Sequence, residues 1–118
     1  MIEVRRVYEP ALESDGQRVL VDRLWPRGLS KEEAAVDLWL REIAPSDDLR
    51  EWFGHDPAKW DEFQQRYSQE LANQAAALAK LAELAAAGPV TLLFAAKDEK
   101  HNNAVALATY LRLHALVA

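Results

Sequence analysis

One stretch constrains this chain more than any other. Val90-Thr91-Leu92-Leu93-Phe94-Ala95-Ala96 is a nearly unbroken apolar run, with Gly88-Pro89 before it and the charged Lys97-Asp98-Glu99-Lys100 after it. A strand that is apolar at almost every position has no face to offer water. Its continuity and its length therefore mark it as a central, parallel strand covered on both sides. The rest of the sequence has to supply its neighbours and its cover.

Two other segments read as its neighbours. Ile2 to Tyr8 alternates apolar and charged residues, with Ile2, Val4 and, less cleanly, Val7 on one side, as a half-buried strand would. Glu9-Pro10 ends it, and Ser14-Asp15-Gly16 marks a turn. Arg18 to Leu24 holds Val19-Leu20-Val21, a second run with no polar face, and is stopped by Trp25-Pro26-Arg27-Gly28. Val36 to Ile43 fits a strand through Val36, Leu38 and Leu40, or a helix through Val36, Trp39, Leu40 and Ile43; the short strand is the preferred reading.

The helices announce themselves by their caps. Ser30 with Glu33 three residues on makes a capping box for a short helix. Ser46 caps the next, with Asp47 and Asp48 at the positive end of its dipole and Gly54 at its close. Asp56-Pro57 opens a third, whose Trp60, Phe63, Tyr67 and Leu71 form one apolar stripe facing the core. Helical spacing then runs on through Leu78, Leu81 and Leu84 to Gly88. An unbroken helix over 57–87 would be roughly 45 Å long at about 1.5 Å per residue, longer than a domain of this size is wide. A break is expected near Asn73, the best capping residue in the middle. Asn102 or Asn103 caps the last helix, through Ala104, Leu107, Ala108 and Leu111. Strands, helices, strand, helix: this order predicts a three-layer α/β fold around a small, mostly parallel sheet, in one domain over residues 1–118.

Composition narrows the function classes. The chain has 118 residues, half of them hydrophobic and none of them cysteine. A disulfide framework, a thiolate zinc site and a cysteine nucleophile are thereby excluded. No apolar run approaches the roughly 20 residues that span a bilayer, and Met1 to Arg6 lacks the apolar block of a signal peptide. A cytoplasmic protein with no membrane partner is expected. The net charge of −5, from 14 basic and 19 acidic residues, argues against binding nucleic acid through its phosphates. His55, His101 and His114 share no metal-ligand spacing, so no metal is expected. A nucleophile elbow, a Walker loop and a dinucleotide fingerprint are missing from a chain with only four glycines, and no cofactor is expected either.

Two segments carry the polar residues that could do chemistry. Asp22-Arg23-Leu24-Trp25-Pro26-Arg27-Gly28 leaves one buried strand, and Ala96-Lys97-Asp98 leaves the central one, shortly before Asn102 and Asn103 start a helix. In parallel sheets ligands settle beyond the carboxyl ends of the strands, and a helix N-terminus there suits an anion. The resulting expectation is a phosphate or carboxylate site in which Arg6, Arg23, Arg27 and Lys97 contact the anion. Trp25, Ser46, Asn102 and Asn103 complete the ligand contacts, and Asp22 or Asp98 serves as acid or base. Such a site would serve an enzyme or a sensor. The plainer reading is that Asp22 pairs with Arg23 or Arg27, Trp25 is core, and Lys97-Asp98 is a solvated turn. A different class of function is a noncatalytic interaction module or homodimer, with Trp25, Trp39 and Trp52 as an exposed patch. Nucleic-acid contact through the arginine-rich loop, with Trp25 stacking on a base, ranks last because of the acidic total.

Several motifs resemble a known family. They are Arg6-Val7-Tyr8-Glu9-Pro10, Asp15-Gly16, the run Val21 through Gly28 (V-D-R-L-W-P-R-G), Pro45-Ser46 with Leu49-Arg50, Phe63 with Arg66-Tyr67 and Glu70-Leu71, and Thr91 through Lys97 followed by Asn102 and Ala104. Together they are similar to the YeaO-like proteins of the bacterial domain-of-unknown-function 488 family. The resemblance implies a compact α/β domain without an assigned activity. Other branches of that family carry a Cys-His-Arg triplet where this chain has Asn102-Asn103-Ala104, which marks the start of the last helix as a functional position there and removes thiol chemistry here. Some relatives have an Asn-Pro pair near the position of Asn73, in keeping with a helix break.

Overall fold

The apolar run after Gly88-Pro89 forms a strand, β4 (Val90–Phe94), in which every residue is buried. In the computed structural model, which describes residues 1–117, β4 is an interior strand of a four-stranded sheet. On one side it pairs with β1 (Ile2–Arg6), from Ile2 opposite Val90 to Arg6 opposite Phe94. On the other it pairs with β2 (Gln17–Leu20), from Gln17 opposite Val90 to Leu20 opposite Leu93. The edge beyond β2 is β3 (Leu38–Trp39), and all three pairings are parallel.

Alternation along the strands sorts their side chains to two faces. Val19 and Val21, with Leu92 and Phe94, face a thick helical layer made of α2 (Asp47–Phe53), α3 (Trp60–Leu71), α4 (Ala75–Ala87) and α5 (Asn103–Leu113). Phe53, Phe63, Tyr67, Leu81, Leu107 and Leu111 fill that side. Leu20 and Leu93 face the other way, where Val7, Trp25, Leu29, Val36, Trp39 and Ala34 of the one-turn helix α1 (Lys31–Ala34) cover them. The fold is therefore three-layered and α/β as expected, with one layer much thinner than the other.

Most local expectations hold for the reasons that produced them. The Ser30 hydroxyl accepts from the Glu33 N–H while Glu33 reaches back to the Ser30 N–H. Ser46 caps α2 and Asn102 caps α5 through the Leu49 and Val105 N–H groups. The chain breaks between α3 and α4, since its longest dimension is 35 Å. Asn73 does not cap α4, however; its amide reaches back to the Gln69 carbonyl at 3.5 Å, and Gln74 holds the cap position without a side-chain bond. The segment from Val36 to Ile43 divides, with two residues of strand followed by a 3₁₀ turn over Arg41–Ile43.

The thin layer rests on buried charge as well as apolar contact. Arg18 and Asp15 are 3% and 4% exposed, and the Arg18 guanidinium meets the Asp15 carboxylate at 2.6 Å. Arg18 also donates to the Ala34 and Ala35 carbonyls, closing the C-terminal end of α1. Asp15 receives a second guanidinium from Arg5 at 3.0 Å and the Leu12 N–H at 2.9 Å, while its own carbonyl accepts from Thr91 on β4. The next residue, Gly16, has φ +64°, and a Cβ there would lie 2.1 Å from the Pro89 carbonyl oxygen. Gly16→Ala should therefore destabilise the protein by about 2–4 kcal/mol in urea denaturation, with strain and overlap acting together.

Burial by itself would push the Asp15 carboxyl up, but the Leu12 N–H and the Arg18 and Arg5 guanidiniums outweigh it and hold the group below the usual carboxylate range. Such a group adds stability that is complete above the unfolded value and is lost as pH falls through the lower folded one. Asp15→Asn should cost about 3–5 kcal/mol at neutral pH by leaving Arg18 buried and unpaired. Denaturation measured from about pH 4 downward should show the wild type losing part of that advantage.

Candidate functional site

The strands β2 and β4 end side by side, and one carboxylate ties their ends together. Val21 still donates to the Leu93 carbonyl, and Asp22 follows it. The Asp22 carboxylate accepts the Ala95 N–H at 2.9 Å on one oxygen and the Asn103 side-chain amide at 3.0 Å on the other. The same amide donates to the Val21 carbonyl, and the Trp39 indole donates to the Asp22 carbonyl. The start of α5 is thereby fixed against two strand ends. Asn102, itself buried, caps that helix and also bonds back to the Asp98 carbonyl.

A cavity of about 400 Å³ opens beside this junction. Asp22 to Arg27 form one wall, and Ala95, Ala96, Asn102 and Asn103 form the next. The helical layer contributes Arg50, Phe53, His55 and Phe63, together with Ala44 and Pro45; Tyr8 closes the rim. Arg23 is half-committed, donating to the Ala44 and Pro45 carbonyls over 3.2–3.4 Å. Arg50 lies 3.3 Å from Asp47 and is otherwise exposed. Arg27 is exposed, and its guanidinium meets no partner among the described residues, while its carbonyl accepts the Tyr8 hydroxyl at 2.8 Å. Three arginines thus share the lining with one carboxylate.

That carboxylate is perturbed. Burial pushes the Asp22 pKa up, and the Asn103 amide, the Ala95 N–H and the nearby His55 only partly restore the charged form. His55 reaches the lining from an uncommon backbone conformation, φ +57°, directly after Gly54 at φ +52°. Histidine enters the left-handed region more readily than most residues, and here it continues the turn that Gly54 makes at the end of α2.

Six of the sequence-predicted residues meet at the cavity: Asp22, Arg23, Trp25, Arg27, Asn102 and Asn103. The other four lie outside its lining. Arg6 donates to the Ala96 and Ala95 carbonyls at 2.9 and 3.1 Å, so it braces the β4 exit. Ser46 is occupied with its cap and with Glu70 at 2.6 Å, beside a neighbouring cleft. Lys97 is exposed. Asp98 folds the loop before α5: the Lys100 N–H first, then the His101 side chain, hold its carboxyl below the usual range, which suits an anchor and not a proton donor. Arg50 and His55 were not foreseen. No local signal marks His55, which stands just past the glycine that closes α2.

The tryptophans expected to form an exposed patch are half-buried. Trp25 and Trp39 meet edge to face at 5.4 Å, and both indole N–H groups are bonded to carbonyls. Trp52 lies beneath Lys59 and Arg66. Among the described residues no group of three or more His, Asp or Glu is placed to hold a metal ion, and no helix is long and apolar enough to cross a membrane.

Residues 1–116 match the family model described as the inactive DUF488-N3 subclade. The uncharacterized protein YeaO of Escherichia coli is 45% identical over 111 residues, covering 94% of this chain and 96% of the relative. The uncharacterized proteins Mb3100c of Mycobacterium bovis and MT3158 of Mycobacterium tuberculosis are each 44% identical over 110 residues, 93% of this chain and 92% of theirs. No solved structure matches the chain. Matched along nearly its whole length, the chain belongs to the domain-of-unknown-function 488 family, within the DUF488-N3 subclade described as inactive.

Proposed function

We propose that the protein binds a small phosphate- or carboxylate-bearing molecule in the cavity at the strand ends, and binds it without turnover. The observation that carries this reading is the convergence of Arg23, Arg27, Arg50 and the start of α5 on one cavity of about 400 Å³. That volume lies in the range of small-ligand sites. Arginine forks match phosphate and carboxylate geometry, and the free N–H groups of a helix start favour the same charge. Arg27 is the pivotal group because its guanidinium is uncommitted among the described residues.

Two points favour binding over catalysis. Ser, Thr and Cys are all missing from the cavity lining, and Asp22 is already bonded on both oxygens. The subclade is described as inactive, and by the family resemblance Asn102-Asn103-Ala104 stand where other branches carry a Cys-His-Arg triplet. The absence of cysteine fits the reducing cytoplasm, where we place the protein. A homodimer built on exposed tryptophans has less support, because those side chains are half-buried.

A thermal-shift screen of wild type and Arg27→Ala against inorganic phosphate, nucleotides, sugar phosphates and small carboxylates tests the proposal. A ligand at about 100 times its Kd should stabilise the wild type by roughly 2.7 kcal/mol. Arg27→Ala should weaken that ligand about tenfold or more, with little change in the stability of the free protein. Shifts of equal size in both proteins would move the site elsewhere, and a flat response across the panel would overturn the reading.

A further inference from the structure

The cavity is bipolar. Arg27 and Arg50 are exposed cations, whereas Asp22 is half-buried beside Asn103. Each Asp22 oxygen accepts one hydrogen bond from the protein. An ionised carboxylate has about four acceptor positions, so it retains room for further donors. The Asn103 amide nitrogen spends its bonds on Val21 and Asp22, and its carbonyl oxygen accepts none from the described residues. Unfilled acceptors therefore gather at the strand junction, and Arg27 carries unfilled donors, while Arg23 and Arg50 share Asp47. The rings of Trp25 and Phe53 line the same cavity.

A simple anion would satisfy only half of this arrangement. The arginines of the lining outnumber its carboxylate and favour an anion by charge, but an anion alone offers no donor to the open Asp22 and Asn103 acceptors. The geometry points to a zwitterion as the ligand: an anionic group held by Arg27 and its neighbours, a cationic N–H donor facing Asp22 and the Asn103 carbonyl oxygen, and an apolar body against the rings. Amino acids with apolar side chains, and aminoalkyl carboxylates of similar size, have this chemistry. The inference rests on the anion-site reading and adds the ammonium contact to it.

Two matched sets of compounds separate the claims, measured by calorimetry on the intact protein. One set is phenylalanine, 3-phenylpropionate and phenethylamine. The other, with a longer rigid charge separation, is 4-(aminomethyl)benzoate, 4-methylbenzoate and 4-methylbenzylamine. In at least one set the zwitterion should bind about tenfold more tightly than the acid that lacks the amine, the amount expected of one charge-assisted contact. Asp22→Asn should bring that ratio to about one. The wild-type ratio decides the question even where the variant fails to fold, because Asp22 also joins the strand ends. Acids that bind as tightly as zwitterions, and lose affinity in Arg27→Ala, would overturn the ammonium contact and leave the anion site standing. Binding of inorganic phosphate or nucleotides, with neither set bound, would do the same. No binding by any of these compounds would overturn both.

Discussion

The Asp22 carboxylate is the contact on which the candidate site depends. Its two oxygens join the backbone just beyond β4 to the side chain that starts α5, from a residue just beyond β2. The end of β2 is held by these bonds to two segments, at Ala95 and Asn103, that lie far from it in sequence. Burying a carboxylate is unfavourable, and the raised pKa of Asp22 records that cost. The arrangement persists because the alternative is worse: without Asp22 the Ala95 N–H and the Asn103 amide would each lose a partner in a half-buried place. The cavity wall is thus a by-product of satisfying polar groups where a parallel sheet ends.

The two faces of the sheet are stabilised by different means. Toward α2, α3, α4 and α5 the contacts are apolar and aromatic, with Phe53, Phe63 and Trp60 in stacked pairs. The other face has only the single turn of α1 and a few loop side chains, so it has less apolar area to offer. The Asp15–Arg18–Arg5 network compensates by linking β1, β2 and the turn between them, while Arg18 closes α1. A buried ion pair of this kind contributes little over a well-packed apolar substitute but is costly to break on one side. It favours one arrangement of the thin layer over others more than it deepens the fold.

The parts legible in the sequence are those set by local chemistry. β4 is visible because seven residues without a polar face have few other places to go. The caps at Ser30, Ser46 and Asn102 are visible because their side-chain bonds span only three residues. That Asp22, Arg23, Trp25, Arg27, Asn102 and Asn103 lie near one another follows from their places at the strand ends of a parallel sheet, and all six line one cavity. What stayed hidden depends on tertiary placement. Arg6 and Arg50 look alike in sequence, yet one braces the β4 exit and the other faces the cavity. Asp98 resembles Asp22 until its loop bonds are seen. Nothing local distinguishes Asp15 and Arg18 as buried, and the Val36–Ile43 segment satisfies two periodicities because it spends two residues on a strand and the next few in a turn.

The strand order β1-β4-β2-β3 also bears on how the molecule is made. β1 and β2 do not bond to each other; each bonds to β4, which follows α1 to α4 in the chain. Until that strand emerges, β1 and β2 have no β4 ladder to complete. Closing such distant pairs carries a loop-entropy cost before any pairing repays it, so folding is slowed by topology. Between the synthesis of β2 and that of β4, the apolar Val19, Leu20 and Val21 await the strand that pairs beside them, a window in which a chaperone has something to hold and a neighbouring nascent chain has something to stick to.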